Sequence, residues 1–335
     1  MNIDAFKPGC LKQQEDPRDH NLKPGAVHWT LINDIDLRPN CLKPRAQGSI
    51  ASCTAFAATG LFDFVRKKNQ KISWLPSPLF TYYASRALTN NEMLDTGVAI
   101  RDALKSAAKD GVSMERIWPY IESKFNEKPP EEAYIVAEKH QALEYLKLND
   151  FDKNEWLNCL NDGYPFIFGL NLYTSFFDPI FSMLGGYMQE PDRANEKFVG
   201  AHCMMAVGYI KNYHGKEYLI VQNSWGENWG AGGYCYIPLS YIMSNDSFDF
   251  WTIRVTEVAE DDTEDPVERK KEEPVVVPIE EKEESVVESK PVDEPKPIVA
   301  VIENKPPVIE KKKTNIPFII ILALIGLMLL FFVLG

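Results

Sequence analysis

Cys53 is the residue around which a chemistry can be assembled. It stands in Gln47-Gly48-Ser49-Ile50-Ala51-Ser52-Cys53-Thr54-Ala55-Phe56, with small residues crowding its N-terminal side. Apolar residues at helical steps begin at Cys53 itself and continue through Phe56, Ala57, Gly60, Leu61 and Phe64. The spacing predicts a buried helix with Cys53 in its first turn, where unpaired backbone N–H groups favour thiolate over thiol. Lys67 and Lys68 suit the negative end of that helix. Gln47, upstream, carries a side-chain N–H that can meet an oxyanion forming beside the sulfur. On this stretch alone the bland alternative, a packed core cysteine at a helix start, stays open.

A thiolate needs a base, and the base needs an orienting partner. Of the histidines, His20 and His28 lie in the N-terminal segment, and His140 lies in a charged helical pattern. His202 heads an apolar strand, Gly200-Ala201-His202-Cys203-Met204-Met205-Ala206-Val207-Gly208-Tyr209. Taken alone it reads equally well as a satisfied core histidine. The stretch Gln222-Asn223-Ser224-Trp225-Gly226-Glu227-Asn228-Trp229-Gly230-Ala231-Gly232-Gly233-Tyr234 supplies the partner. An Asn223 amide oxygen can accept the imidazole N–H and fix its tautomer. Trp225 can shield that bond from water, which strengthens it. Trp225 and Trp229 read as ordinary aromatic core at the same time.

The elements that must position these groups divide the chain. Residues 1–40 are polar and broken by Pro8, Pro17, Pro24 and Pro39, and read as an extended lead-in that wraps the domain. Residues 41–256 read as the catalytic domain. After the Cys53 helix, Ser77-Pro78 caps a second helix through Leu88, and a third is predicted from Val98 to Asp110, ending at Gly111. In the third, Ile100, Leu104, Ala107 and Ala108 face inward. Pro129-Pro130 opens a further helix through Leu146. The period then changes. Pro165–Leu172, Cys203–Ile210, Tyr218–Gln222 and Tyr234–Ile237 read as strands, with an irregular insertion over 175–199 that is expected to overhang the cleft. A helical half followed by a strand-rich half predicts an α+β fold with a cleft between its lobes.

The net charge is −12, yet 18 acidic against 10 basic side chains fall between Glu257 and Lys313. The rest of the chain is therefore only mildly acidic, and no basic face suggests nucleic acid. Residues 257–315 collapse into Pro, Glu, Lys and Val without helical period, the composition of a disordered linker. Residues 316–335 are uncharged and almost wholly apolar, and about 20 residues span roughly 30 Å as a helix. They read as a single transmembrane helix and lipid-bilayer anchor. Lys311, Lys312 and Lys313 beside it place the domain on the cytosolic side, as a tail-anchored protein. No secretory signal is evident near Met1, and the six cysteines show no zinc-like spacing, which favours a reducing compartment. No metal or cofactor is called for.

Together the motifs resemble the papain family of cysteine proteases. The family segment reads Gln-Gly-x-Cys-Gly-Ser-Cys-Trp-Ala-Phe; the chain keeps Gln47, Gly48, Ser52, Cys53, Ala55 and Phe56, and departs at Ile50, Ala51 and Thr54. The family block Asn-Ser-Trp-Gly-x-x-Trp-Gly-x-x-Gly-Tyr is matched at every fixed position from Asn223 to Tyr234. The resemblance implies a two-lobed papain-like fold and hydrolysis of protein or peptide substrates through a thioester acyl-enzyme. It assigns Cys53 as nucleophile, His202 as acid/base, Asn223 as orienter, and Gln47 with the Cys53 backbone N–H as oxyanion donors. Gly97, in the Asp95-Thr96-Gly97 turn, Ala201 and Trp225 become the substrate-binding positions. Ile50 stands where the family has a half-cystine, and Thr54 replaces a tryptophan, so an altered cleft floor is expected. Ile and Thr at these places are similar to a branch found in bacteria and large DNA viruses. Residues 1–40 are too short and Pro-broken for the family's long helical propeptide, which leaves room for a brief occluding segment. Two rivals stay open: an inactive peptide-binding relative, and a transferase or ligase using the same thioester.

Overall fold

The computed structural model describes residues 3, 6–23, 25–70, 74–179 and 185–257. The linker and membrane span expected beyond Glu257 lie outside the described residues. Among the described residues no helix is long and apolar enough to cross a membrane.

The helical lobe is built on α1, Cys53–Gln70, with α2, Pro78–Ala87, and α3, Ile100–Lys109. From Cys53 to Arg66 every α1 residue except Gly60 is buried. A helix apolar nearly all round must be enclosed, and α1 packs on α2 and α3 on one side and on the sheet on the other. Its buried polar residues are paired: Arg66 meets Asp63 at 2.6 Å, and Lys67 meets the same carboxylate at 2.8 Å. The predicted cap of α2 forms, with Ser77 Oγ accepting from the Phe80 N–H at 3.1 Å. The third helix starts two residues later than the spacing predicts. Val98–Ala99 forms a short strand, β3, that pairs in parallel with β1, Cys10–Leu11. The Val98 N–H is thereby used across the cleft rather than in a helix.

The helix expected through Leu146 stops early. It ends as α4, Glu131–Ala137, and Ala142–Lys147 forms strand β4 at the sheet edge against β9, Ser247–Thr256. The ladder offered by β9 overrides local helical preference, since strand choice depends on what lies alongside. The other strands are β2 (Ile35–Asp36), β5 (Phe166–Tyr173), β6 (Phe198–Tyr213), β7 (Lys216–Gln222) and β8 (Tyr234–Pro238). Every pairing within this sheet is antiparallel, in the order β4-β9-β5-β6-β7-β8, with β2 laid on β6. The four strands expected from the sequence are β5 to β8. Strand β9 and helix α5, Lys153–Asn161, have no counterpart in that reading. Between α5 and the sheet lies an aromatic stack: Trp156 on Phe250 at 4.5 Å and Phe250 on Phe168 at 5.3 Å, centroid to centroid. Truncating one such ring costs about 3–5 kcal/mol.

The N-terminal segment is extended, as expected. His20 O accepts from Lys147 N and Lys147 O accepts from Leu22 N, tying it to β4. Its first part, residues 6–11, runs into the cleft between the lobes. The insertion before His202 divides in two: Tyr187 stacks on Tyr236 of β8 at 4.2 Å, whereas Phe176 and Phe177 reach the cleft beneath Trp225.

Candidate active site

The four residues singled out by chemistry come together where α1 meets the sheet. Cys53 opens α1, and His202 stands on β6 between Ala201 and Cys203. Cys203 N–H donates to Cys53 Sγ at 3.4 Å, which fixes the helix start against that strand. His202 Nε2 and Asn223 Oδ1 are 2.7 Å apart. An amide oxygen only accepts, so Nε2 carries the proton and Nδ1 is the free base. The Nδ1 atom is buried with no hydrogen-bond partner. Asn223 is held in turn, its own N–H donating to Gly233 O at 3.0 Å and its Oδ1 accepting from Ser224 N–H at 2.7 Å.

Gln47 is buried and held from four directions. Its backbone N–H donates to Ser224 O at 2.8 Å, and its backbone carbonyl accepts from Tyr120 OH at 2.6 Å. Ser224 Oγ donates to Gln47 Oε1 at 2.6 Å, and Gln47 Nε2 donates to Ile50 O at 3.0 Å. That last bond uses one of the two amide hydrogens, so a second donor remains on Nε2. Ser224 and Tyr120 were not singled out by sequence reasoning. Ser224 lay inside the Asn-Ser-Trp block, but nothing local marks Tyr120, which reaches Gln47 across 73 residues of chain.

The aromatic shield is larger than Trp225 alone. The Trp225 ring lies 5.0 Å from the His202 ring, and Phe177, Phe176 and Trp229 lie within 5.1–5.5 Å of Trp225. Phe6, from the N-terminal segment, closes the cluster at 5.5 Å from both His202 and Trp225. Thr54, in place of the family tryptophan, is buried and donates to Val98 O at 2.9 Å, so the altered floor is a hydrogen bond to β3. Ile50 is buried in the core cluster, and all six cysteines are free thiols.

The positions expected to bind substrate are met by the protein's own chain. Gly9 N–H donates to Ala201 O at 3.3 Å, and Val98 N–H donates to Gly9 O at 2.9 Å. Gly97, with φ +80°, lets Gly9 pass: a Cβ on Gly97 would lie 2.5 Å from Gly9 O. Gly9 itself rides over the sulfur. A Cβ there would lie 2.8 Å from Cys53 Sγ and 2.4 Å from Ala51 O, so glycine is required by close approach. Lys7 Nζ pairs with Asp95 Oδ2 at 2.5 Å, and Asp95 Oδ1 accepts from Tyr82 OH and from Ala51 N–H at 3.0 Å. Residues 6–11 form a strap, and the brief occluding segment is present.

The strap reverses one expectation. The helix start was expected to favour the Cys53 thiolate, yet burial pushes this thiol up to about 12, and neighbouring Cys10 adds to the rise. Burial likewise brings His202 down to about 4, outweighing the hydrogen bond that the ring donates to Asn223. Both groups are fully buried, and desolvation penalises charge more than one helix turn rewards it. With the strap seated, the site holds a neutral thiol and a neutral imidazole.

Sequence comparison places this geometry among known proteins. The profile of the papain family cysteine proteases (Peptidase C1) matches residues 31–245. An uncharacterized peptidase C1-like protein of Acanthamoeba polyphaga mimivirus is 33% identical over 245 residues, 70% of this chain and 77% of that protein. A cathepsin L-like proteinase of Fasciola hepatica is 24% identical, over 70% of this chain and 69% of its own length. Among solved structures, xylellain, a cysteine protease from Xylella fastidiosa, superimposes with TM-score 0.67 at 29% identity, covering 74% of this chain and 96% of that one. The two-lobed fold, with α1 lodged between the lobes and a Cys-His-Asn cluster at its start, and the match over most of the described domain agree: the chain belongs to the papain family of cysteine proteases.

Proposed function

We propose that Cys53, His202, Asn223 and Gln47 carry out peptide-bond hydrolysis in this chain through a thioester. The observation behind the assignment is the 2.7 Å His202–Asn223 bond, which leaves Nδ1 as the one basic ring atom beside the Cys53 helix start. Once the strap lifts and water returns, His202 Nδ1 takes the Cys53 proton and the thiolate attacks the substrate carbonyl. The developing oxyanion is met by the second Gln47 Nε2 hydrogen and the Cys53 backbone N–H. His202 returns the proton to the leaving amine, and a water deprotonated by His202 then cleaves the thioester. An extended peptide takes the backbone partners that Gly9 now holds, Ala201 O and Val98 N, with Gly97 giving clearance. The Gly9 carbonyl is engaged by Val98 N–H and the Thr54 hydroxyl at 3.3 Å, which are not the oxyanion donors, and this leaves the strap itself uncut.

The tail reading belongs to the same proposal. Residues 316–335 serve as a single-pass anchor in a membrane, and Lys311–Lys313 hold the peptidase domain on the cytosolic side, where positive charge flanks a span. The test is to profile the full chain in detergent on a peptide library beside Cys53→Ala. Cleavage by the parent and none by the variant supports the assignment; equal cleavage by both would move the nucleophile elsewhere. For the anchor, removing residues 316–335 should release an active enzyme from membranes. Retention of the shortened chain would refute that part.

A further inference from the structure

Three thiols share one buried cluster where the strap seats, and the hydrolytic mechanism uses one. Cys10, on the strap, and Cys203, on β6, are both buried in the same core cluster as Cys53, and β1 packs against β6. The neighbouring backbones are in register as well. Gly9 N–H bonds Ala201 O, and residues 201 and 203 share one face of β6. Cys10 pairs with Val98, whose carbonyl accepts from the Thr54 hydroxyl one residue after Cys53. One wall of the cleft and the segment that closes it thus each bury a thiol in one cluster, and Cys203 is the largest influence on the Cys10 thiol. The strap's other fastenings are an aromatic ring, a partly exposed ion pair, the Thr54 hydroxyl on Gly9 O, and the backbone bonds of Gly9 and of the two-residue β1–β3 pairing.

We propose that Cys10 and Cys203 form a redox latch, in which peroxide joins them in a disulfide that locks residues 6–11 over Cys53 and a thiol reductant reopens it. This rests on the reading of Cys53 and His202 as the reacting pair, since the latch regulates that site. While the strap is seated, neighbouring Cys203 and burial raise the Cys10 thiol, and burial raises that of Cys203, so both stay in the unreactive protonated form. Oxidation therefore begins when the strap lifts and Cys10 enters water, where an ordinary thiol ionises. The Cys10 thiolate attacks the O–O bond of hydrogen peroxide, giving a sulfenic acid and, after protonation, one water. On reseating, Cys203 sulfur displaces the sulfenic oxygen, forming the S–S bond and a second water. Two thiols lose two hydrogens and the peroxide is reduced to two waters. Two equivalents of a monothiol such as glutathione reverse the link and are themselves joined in a disulfide. A bond of this kind inside a reducing compartment is transient and sensing rather than structural.

The experiment uses the full chain in detergent, reduced and then exposed to equimolar hydrogen peroxide. Peptide mapping without reductant is expected to find the Cys10 peptide joined to the Cys203 peptide, two hydrogens lighter than their sum and separated by dithiothreitol. A link from Cys10 to Cys53, or no link, overturns the proposal. A second arm uses full-length Cys53→Ala, which removes oxidation of Cys53 from the reading. There, peroxide should slow hydrogen exchange at the Gly9 and Val98 amides at least tenfold, reversibly, and should have no such effect when Cys10→Ser is added. Unchanged exchange on a formed disulfide would overturn the locking role. Neither arm measures hydrolysis, so a chain that forms the link but cuts no peptide would sink the catalytic reading and leave the latch standing.

Discussion

The two walls of the cleft hold their groups by different forces. On the helical side, Asp95 accepts from Tyr82 and Ala51, Gln47 makes four hydrogen bonds, and Tyr120 links Gln47 to Ser52 Oγ at 2.6 Å. On the sheet side, His202 has one hydrogen bond and is otherwise enclosed by Phe6, Trp225 and the rings behind them. Directional bonds suit donors that must point at a small developing charge. Aromatic enclosure suits an imidazole that must keep one tautomer while water is excluded. The strap engages both walls, with Lys7 on Asp95 and Phe6 on the aromatic cluster.

That contrast can be broken most severely at the point where the walls meet. Cys53→Ala should lower kcat/KM by at least about 10³-fold, as loss of a nucleophile does, with an unchanged thermal midpoint. Next, Asn223→Ala removes the single hydrogen bond of the His202 ring while leaving the aromatic rings around it. Activity should fall roughly 10²-fold, the scale of a misoriented general base, and the fold should persist. A loss as complete as that of Cys53→Ala would give Asn223 a direct chemical role and erase the distinction between the walls.

The strap separates the two forces further. Phe6→Ala deletes a buried ring touching His202, Trp225 and Phe177, whose burial on docking the strap is worth about 2 kcal/mol. The rate at which an electrophilic peptide labels Cys53 should rise roughly 30-fold. Lowering pH should also lift the strap. The closed state holds His202 near 4, below its ordinary value of 6.5, so the open state binds more protons on acidification. Closure is fully favoured above about 6.5 and weakens as pH falls toward 4, by at most about tenfold per unit. Tryptophan emission of Cys53→Ala, reporting Trp225 as Phe6 leaves, should shift in that window; a shift only above pH 7 would assign the effect to another group. The smallest effect is expected of Lys7→Ala. Its partner pair is half exposed at the lysine and contributes roughly 0–1 kcal/mol, so labelling should rise less than about fivefold. A Lys7 effect exceeding that of Phe6 would mean that charge, not aromatic burial, holds the strap.

What the sequence determined by itself is local and motif-bound. The start of α1 at Cys53, the Ser77 cap, strands β5 to β8, and the candidate quartet were legible because periodicity and fixed spacing act over a few residues. The same locality misled at Leu146, where β9 claimed a segment with helical leanings, and hid β9 and α5 altogether. Only the tertiary structure brought Phe6 onto His202 and Gly9 and Cys10 into the surroundings of Cys53, since no pattern in a Pro-broken polar segment says where it docks. It also decided the charge state. The field of a helix start can be read from sequence, but desolvation is a sum over every neighbour, and most neighbours of Cys53 and His202 come from elsewhere in the chain. Burial therefore outweighed the helix, and the thiol stays protonated for as long as the strap is seated.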